Sequence, residues 1–358
     1  MHVVILAGGS GIRLWPASTA TKPKPFIKVG GKTLMEITLK RALNIPGVKS
    51  IITVTSESNV AYVQREYSFL KGKKHISNTK LEILIEPSNQ DTAAAVASAA
   101  LLVKEKHSAD ETLLILPSDH IICDTDSFSN SIIKAKDICE REDKIITFGI
   151  TPHYPETSYG YIKTNGTEVI SFIEKPTYNN AIKYIKKRNY SWNSGILLCK
   201  SGTLVDELKK HCSTLFSFVY KSFKYSLSSF NNLCIQTILN PKSWALISAR
   251  SIDYELLEKS NKLALVNCDM DWVDVGNWDS MIKQNNNIQD SSGNKVIGNV
   301  YLHESENCYI ENSNNKKMAV IGVSNLAIIE RDHGILILNR NKAKDPKTKE
   351  FMLSLNKS

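Results

Sequence analysis

The chain has 358 residues and 42% hydrophobic content, enough for about two domains and a substantial core. Its formal net charge of +9 can attract nucleic acid or equally nucleotides and sugar phosphates, but the lysine runs lack the aromatic interleaving of a single-strand nucleic-acid surface and read as solvated surface. No run reaches the roughly 18 apolar residues of a membrane span. The seven cysteines contain no C-x-x-C pair, and Met1 leads almost directly into an apolar run, leaving no room for a signal peptide, so a cytoplasmic protein is expected.

The first predicted element is a buried strand over Val3–Leu6, ended abruptly by Ala7-Gly8-Gly9-Ser10-Gly11. Glycines leave backbone N–H groups uncovered, and Arg13 and Lys24 add two cations, so the stretch reads as a polyphosphate cradle or as an ordinary glycine turn. Two familiar phosphate loops fail. Leu14 stands where G-x-G-x-x-G needs its last glycine, and Phe26 stands where a P-loop ending in Gly31-Lys32-Thr33 needs its first.

Farther on, helical spacing predicts a helix over residues 33–44, then a strand over 51–55, a helix over 60–70 and a strand over 81–85. Such alternation implies an α/β fold with a mostly parallel sheet covered on both faces. Asp91 or Thr92 caps an alanine-rich helix running to about Lys106, and the preceding Glu86–Gln90 loop is a candidate to face a nucleotide base. Leu113–Leu116 is a buried strand ended by Pro117. Asp119 therefore sits at the carboxyl end of a parallel strand, where it holds Mg²⁺ or caps the next helix. His120 reads as its structural neighbour.

Another strand covers 145–150, followed by a loop from Pro152 to Tyr161, a strand over 169–173 ending in Glu174-Lys175-Pro176, and Trp192-Asn193-Ser194-Gly195. Residues 203–238 read as helical core or dimer-facing packing, which leaves a homodimer open. Ser251–Glu255 opens a helix whose cap is a role for Asp253, and 263–266 is a strand. Asp274 lies in Trp272-Val273-Asp274-Val275-Gly276, a second metal ligand or a turn aspartate. A polar stretch from Asn285 to Gly293 marks the boundary between a catalytic domain (1–285) and a C-terminal domain (286–358). Short strands follow around 296–302, 318–322, 327–330 and 335–339, then a terminal helix within 343–358.

The G-G-x-G-x-R-L stretch with its Pro23-Lys24 segment resembles the signature of the sugar nucleotidyltransferases. The Leu14-Trp15-Pro16 continuation and Phe26 are most similar to the mannose-1-phosphate guanylyltransferases. The segments Glu86–Ala95, Tyr159-Gly160-Tyr161-Ile162, Glu174-Lys175-Pro176, Asn193–Gly195 and Trp272–Gly276 follow in the family's order. Two departures stand out: Gln90-Asp91 replaces the family's Arg-Asn, and Pro25 replaces its glutamine.

The resemblance implies a Rossmann-like mixed sheet flanked by helices, with a small β-helix-like C-terminal domain. It implies GTP and mannose 1-phosphate as substrates, GDP-mannose and pyrophosphate as products, and Mg²⁺ as cofactor. Arg13, Lys24, Asp119 and Asp274 would be catalytic, with the two aspartates on the metal. Leu6, Ala7, Gly8, Gly9, Ser10, Gly11, Pro87, Thr92 and Ser118 would contact the nucleotide, and Gly160, Glu174, Lys175 and Asn193 the sugar phosphate. The alternatives are another nucleotide and hexose phosphate pair, or a non-catalytic regulatory homologue that binds GDP-mannose.

Overall fold

The computed structural model describes residues 1–9, 14–19, 21–71, 79–284, 289–314 and 316–355, with backbone alone at 283, 284, 346 and 349. Ser10, Gly11 and Arg13 of the expected phosphate loop lie outside the described residues. Two compact units emerge: Met1–Gly8 with Thr38–Ser118 and Ile122–Trp272, and Gly9–Ile37 with Asp119–Ile121 and Val273–Ser358.

The first unit is built on an eleven-stranded sheet. Its strands are β1 (His2–Leu6), β2 (Ser50–Ser56), β3 (Lys80–Glu86), β4 (Thr112–Pro117), β5 (Ile145–Ile150), β6 (Tyr161–Asn165), β7 (Glu168–Ile173), β8 (Tyr190–Lys200), β9 (Leu227–Phe230), β10 (Ile235–Ile238) and β11 (Leu263–Asn267). They lie in the order β9-β10-β3-β2-β1-β4-β8-β5-β11-β7-β6. From β10 to β4 neighbouring strands are parallel. The Val/Ile/Leu runs of these central strands are buried, as a sheet covered on both faces requires.

Beyond β4 the expectation of a mostly parallel sheet gives way. The long strand β8 enters antiparallel to both β4 and β5, and β7 pairs antiparallel with β6 and β11. Antiparallel pairing permits short connections, and β6 reaches β7 through a turn of only Gly166-Thr167. The expectation of a helical 203–238 also fails after residue 224. Helices cover Ser201–His211 and Ser213–Lys224, but β9 and β10 then form a hairpin whose second strand extends the sheet beside β3. The Pro152–Tyr161 loop ends one residue early, since β6 begins at Tyr161.

A helix over Asp91–Lys106 supplies the largest helical share of this unit's core. Ala93 to Val103 are buried throughout, with Leu101, Leu102 and Val103 packed into the main apolar cluster. Its expected cap is absent. The cap position is Gln90 without a side-chain bond, Asp91 has φ 62°, and the Thr92 hydroxyl instead accepts the N–H of Ile252 at 2.9 Å.

The second unit carries β12 (Lys295–Ile297), β13 (Val300–His303), β14 (Tyr309–Asn312), β15 (Met318–Ile321), β16 (Leu326–Arg331) and β17 (Gly334–Asn339). The strand at 309–312 was not expected from sequence. β12, β14 and β16 pair in parallel, as do β13 and β15, so successive coils of chain stack in register; β17 closes the larger sheet antiparallel. Asparagine amides link the corners of the coils: Asn307 donates to Asn325 at 3.1 Å and Asn325 to Asn339 at 3.4 Å. Cys308, Ile310, Val320 and Ile328 fill the space inside the coils. The outer face, through Tyr309, Ala327, Ile329 and Leu338, shares a second core with Leu14, Ile27, Leu34 and Trp278. No described helix is long and apolar enough to cross a membrane.

Candidate functional site

In the second unit three distant segments converge on one amine. Lys24, flanked by Pro23 and Pro25, opens a single 3-10 turn, Lys24–Phe26. Pro25 costs this turn nothing, because its missing N–H is among those a helix start leaves unpaired. Asp119 lies two residues past the end of β4, and Asp274 ends a short strand, Trp272–Asp274, that pairs with His120–Ile122. Lys24 Nζ donates to Asp119 Oδ2 at 2.5 Å and to Asp274 Oδ1 at 3.2 Å. His120 Nε2 lies 3.9 Å from Asp119 Oδ1 and 4.0 Å from Asp274 Oδ1.

Burial alone would push the Asp119 carboxyl up, but Lys24, with His120 behind it, overcomes that and holds it down to about 2. The same pairing acts on the lysine. Burial would lower the Lys24 ammonium, yet Asp119 and then Asp274 keep it above the ordinary lysine value. The charged forms of Lys24 and Asp119 therefore stabilise one another.

In the first unit the chain leaves β1 under tight control. Ala7 N–H donates to Val54 O at 2.8 Å, and Ala7 O accepts from Thr55 Oγ1 at 2.9 Å. Leu6 O accepts the N–H of Ser118 at 3.2 Å, which ties the ends of β1 and β4 together. Gly8 leaves room for Glu86: a Cβ there would sit 2.8 Å from Glu86 Oε2, and the glutamate would have to shift. On Gly9, which opens the second unit, a Cβ would meet nothing within 4 Å among the described residues. Glu86 was expected only as part of a base-facing loop. It ends β3, its Oε1 is buried without a hydrogen-bond partner among the described residues, and burial, with Asp91 nearby, pushes its carboxyl up to about 8. Glu86 is buried at the end of β3, where it pairs with Ser56 at the end of β2.

A second group in this unit gathers Gly160, Glu174, Lys175 and Asn193. Asn193 Oδ1 accepts from Thr147 Oγ1 and Gly195 N–H, both at 3.1 Å, and its backbone N–H donates to Gly160 O at 2.8 Å. Its amide nitrogen donates to Asp253 Oδ1 at 3.0 Å, so Asp253 does more than cap a helix. Lys175 pairs with Glu174 at 2.8 Å from a backbone at φ 45°. A Cβ on Gly160 would come within 2.6 Å of Glu174 Oε2. Burial, reinforced by Asp253, raises the Glu174 carboxyl; burial also raises Asp253. Tyr159 packs edge-on against Trp192 and Trp272, with ring centroids 5.5 and 5.1 Å away. Neither tryptophan was singled out from sequence, since each reads as core.

The remaining expected nucleotide contacts are placed as follows. Ser118 is buried and its carbonyl accepts from Thr38 Oγ1 at 3.3 Å, Pro87 is partly exposed after β3, and the Thr92 hydroxyl is engaged with Ile252.

Residues 2–291 match the family model described as nucleotidyl transferase. A mannose-1-phosphate guanylyltransferase of Sinorhizobium fredii is 34% identical over 342 residues, which are 93% of this chain and 64% of that protein. The chain thus spans less than two thirds of that relative's length. The alginate biosynthesis protein AlgA of Pseudomonas fluorescens is 32% identical over 99% of this chain and 72% of its own. A crystal structure from Thermus thermophilus, described as a mannose-1-phosphate geranyltransferase, superposes with a TM-score of 0.79 at 27% identity, covering 99% of this chain and 98% of that one.

Proposed function

The chain belongs to the nucleotidyl transferase family, and from that premise we propose that it transfers GMP from GTP to α-D-mannose 1-phosphate, releasing pyrophosphate and forming GDP-mannose. The observation that carries the reading is the convergence of Asp119 and Asp274 on the Lys24 amine, three side chains the family motifs name separately. Names carried by the relatives support the substrate pair.

In the proposed reaction a phosphate oxygen of the sugar phosphate forms a bond to the α-phosphorus of GTP while the bond to the bridging oxygen of pyrophosphate breaks. The attacking oxygen is already ionised at neutral pH, so no side chain has to take a proton. The protein's task is positioning and charge. Lys24 neutralises charge building on the leaving pyrophosphate, with Arg13 assigned the same work by its motif. Gly8 and Gly9 let the triphosphate lie against bare backbone. Asn193, held by Thr147, Gly195 and Asp253, presents its remaining amide N–H to a sugar hydroxyl, and Glu174 and Lys175 receive a hydroxyl and the phosphate respectively.

Mg²⁺ is the proposed cofactor, and the donor set fits it. Two hard carboxylate oxygens reach one ammonium-sized position, while no group of three or more His, Cys, Asp or Glu gathers among the described residues, which leaves the other positions to phosphate and water. When bound, it would supply positive charge to the phosphate oxygens at Asp119 and Asp274.

The test is a panel of ATP, CTP, GTP and UTP against mannose, glucose and fucose 1-phosphates, followed by pyrophosphate release. GTP with mannose 1-phosphate is expected to give the highest kcat/KM, and another best pair would reassign the substrates. Lys24→Ala and Asp119→Ala are each expected to lower kcat by about 10²-fold or more. Near wild-type turnover in either would remove that residue from the mechanism.

A further inference from the structure

The Lys24 amine lies where the two carboxylates converge, which is also the position a divalent cation would take between them. An ammonium and a divalent cation within a few ångströms of each other in a half-buried site repel. Two half-buried carboxylates left with neither would repel one another in turn. The site therefore calls for one cation at a time. Lysine suits such a part, being a compact point charge on a flexible four-carbon stem.

We propose that Lys24 is the internal counter-ion of Asp119 and Asp274, that it and the divalent metal exclude each other from that position, and that metal entry releases the amine toward an anionic ligand. This rests on the reading above that the two aspartates hold the metal. It adds a binding order: metal alone binds weakly because it must displace the lysine, and metal with polyphosphate binds more tightly because the displaced amine gains a new partner. By linkage, each strengthens the other. His120, near both carboxylates, remains beside them in either state.

The test uses the intact chain and Mn²⁺ without nucleotide, read by electron paramagnetic resonance and calorimetry rather than by turnover. Lys24→Met is expected to bind Mn²⁺ about tenfold more tightly than wild type, while Lys24→Arg stays near wild type. In wild type, acetylation of the Lys24 amine by N-hydroxysuccinimide acetate, followed by peptide mass spectrometry, is expected to speed up several-fold as Mn²⁺ saturates and to stay unchanged with K⁺. The labelling arm needs no substitution, so it decides the matter even if Lys24→Met fails to fold.

Unchanged Mn²⁺ affinity in a folded Lys24→Met, or a Lys24 amine no more reactive with metal than without, overturns the counter-ion. Asp119→Asn separates the two levels. If Asp119→Asn loses Mn²⁺ binding but Lys24→Met gains none, the counter-ion fails alone; if Asp119→Asn binds Mn²⁺ as wild type does, the metal reading fails with it.

Discussion

An alanine at position 160 would set its Cβ 2.6 Å from Glu174 Oε2 and 3.3 Å from the Phe172 ring, closer than carbon normally approaches either. Glu174 has little freedom to yield, because its Oε1 is paired with Lys175 and its backbone N–H donates to Glu258. Gly160→Ala is therefore expected to raise KM for mannose 1-phosphate by about tenfold or more with little change in KM for GTP. Equal effects on both substrates would detach this group from the sugar. Glu86 supports a different measurement. Its folded pKa of about 8 lies above the ordinary carboxyl value of 4.5, so its contribution to stability is fully present below 4.5 and is lost as pH rises through about 8. Glu86→Gln, which never ionises, is expected to match wild type in Tm near pH 4.5 and exceed it increasingly up to pH 8.5. A constant difference across that range would mean that Glu86 is not buried as a neutral acid.

Between elements, the turn from β16 to β17 presses on the segment that follows the glycine-rich stretch. Gly334 has φ 148°, and a Cβ there would lie 2.8 Å from the Trp15 ring, whose backbone carbonyl accepts the Trp278 indole N–H at 2.9 Å. Gly334→Ala meets both a backbone penalty and a clash, and is expected to lower stability by about 1–3 kcal/mol, read as a fall in Tm. An unchanged Tm would mean that Trp15 moves aside without cost.

The elements also mark what the sequence could carry. The central strands and the helices over 34–43, 60–71 and 91–106 were legible because apolar runs and helical spacing are local signals. The β9–β10 hairpin was not: Leu227-Ser228-Ser229-Phe230 is exposed and alternates weakly, and it is a strand because β10 finds the edge of β3. At the site, the motifs located Lys24, Asp119 and Asp274 but not their convergence; Glu86 was placed only in a base-facing loop and Asp253 only as a helix cap, because their significance lies in partners roughly 80 and 60 residues away.

At the scale of the whole chain, the C-terminal strands complete the core beneath Lys24. Tyr309, Ala327, Ile329 and Leu338 pack with Leu14, Ile27, Leu34 and Trp278, so removing everything after residue 288 would expose the apolar base of the segment that carries the lysine. The shortened chain is expected to lose about 10²-fold or more in turnover along with cooperative thermal unfolding. Retained turnover would make the C-terminal strands an independent appendage.

The central claim, that the chain moves a guanylyl group, is tested most directly by single turnover with GTP labelled at the α-phosphate in the presence of mannose 1-phosphate and Mg²⁺. The expected result is label in GDP-mannose, matched mole for mole by unlabelled pyrophosphate, and neither product from Asp274→Asn. Label that stays in GTP while GDP-mannose still binds the protein would contradict the account and leave a regulatory binding protein in its place.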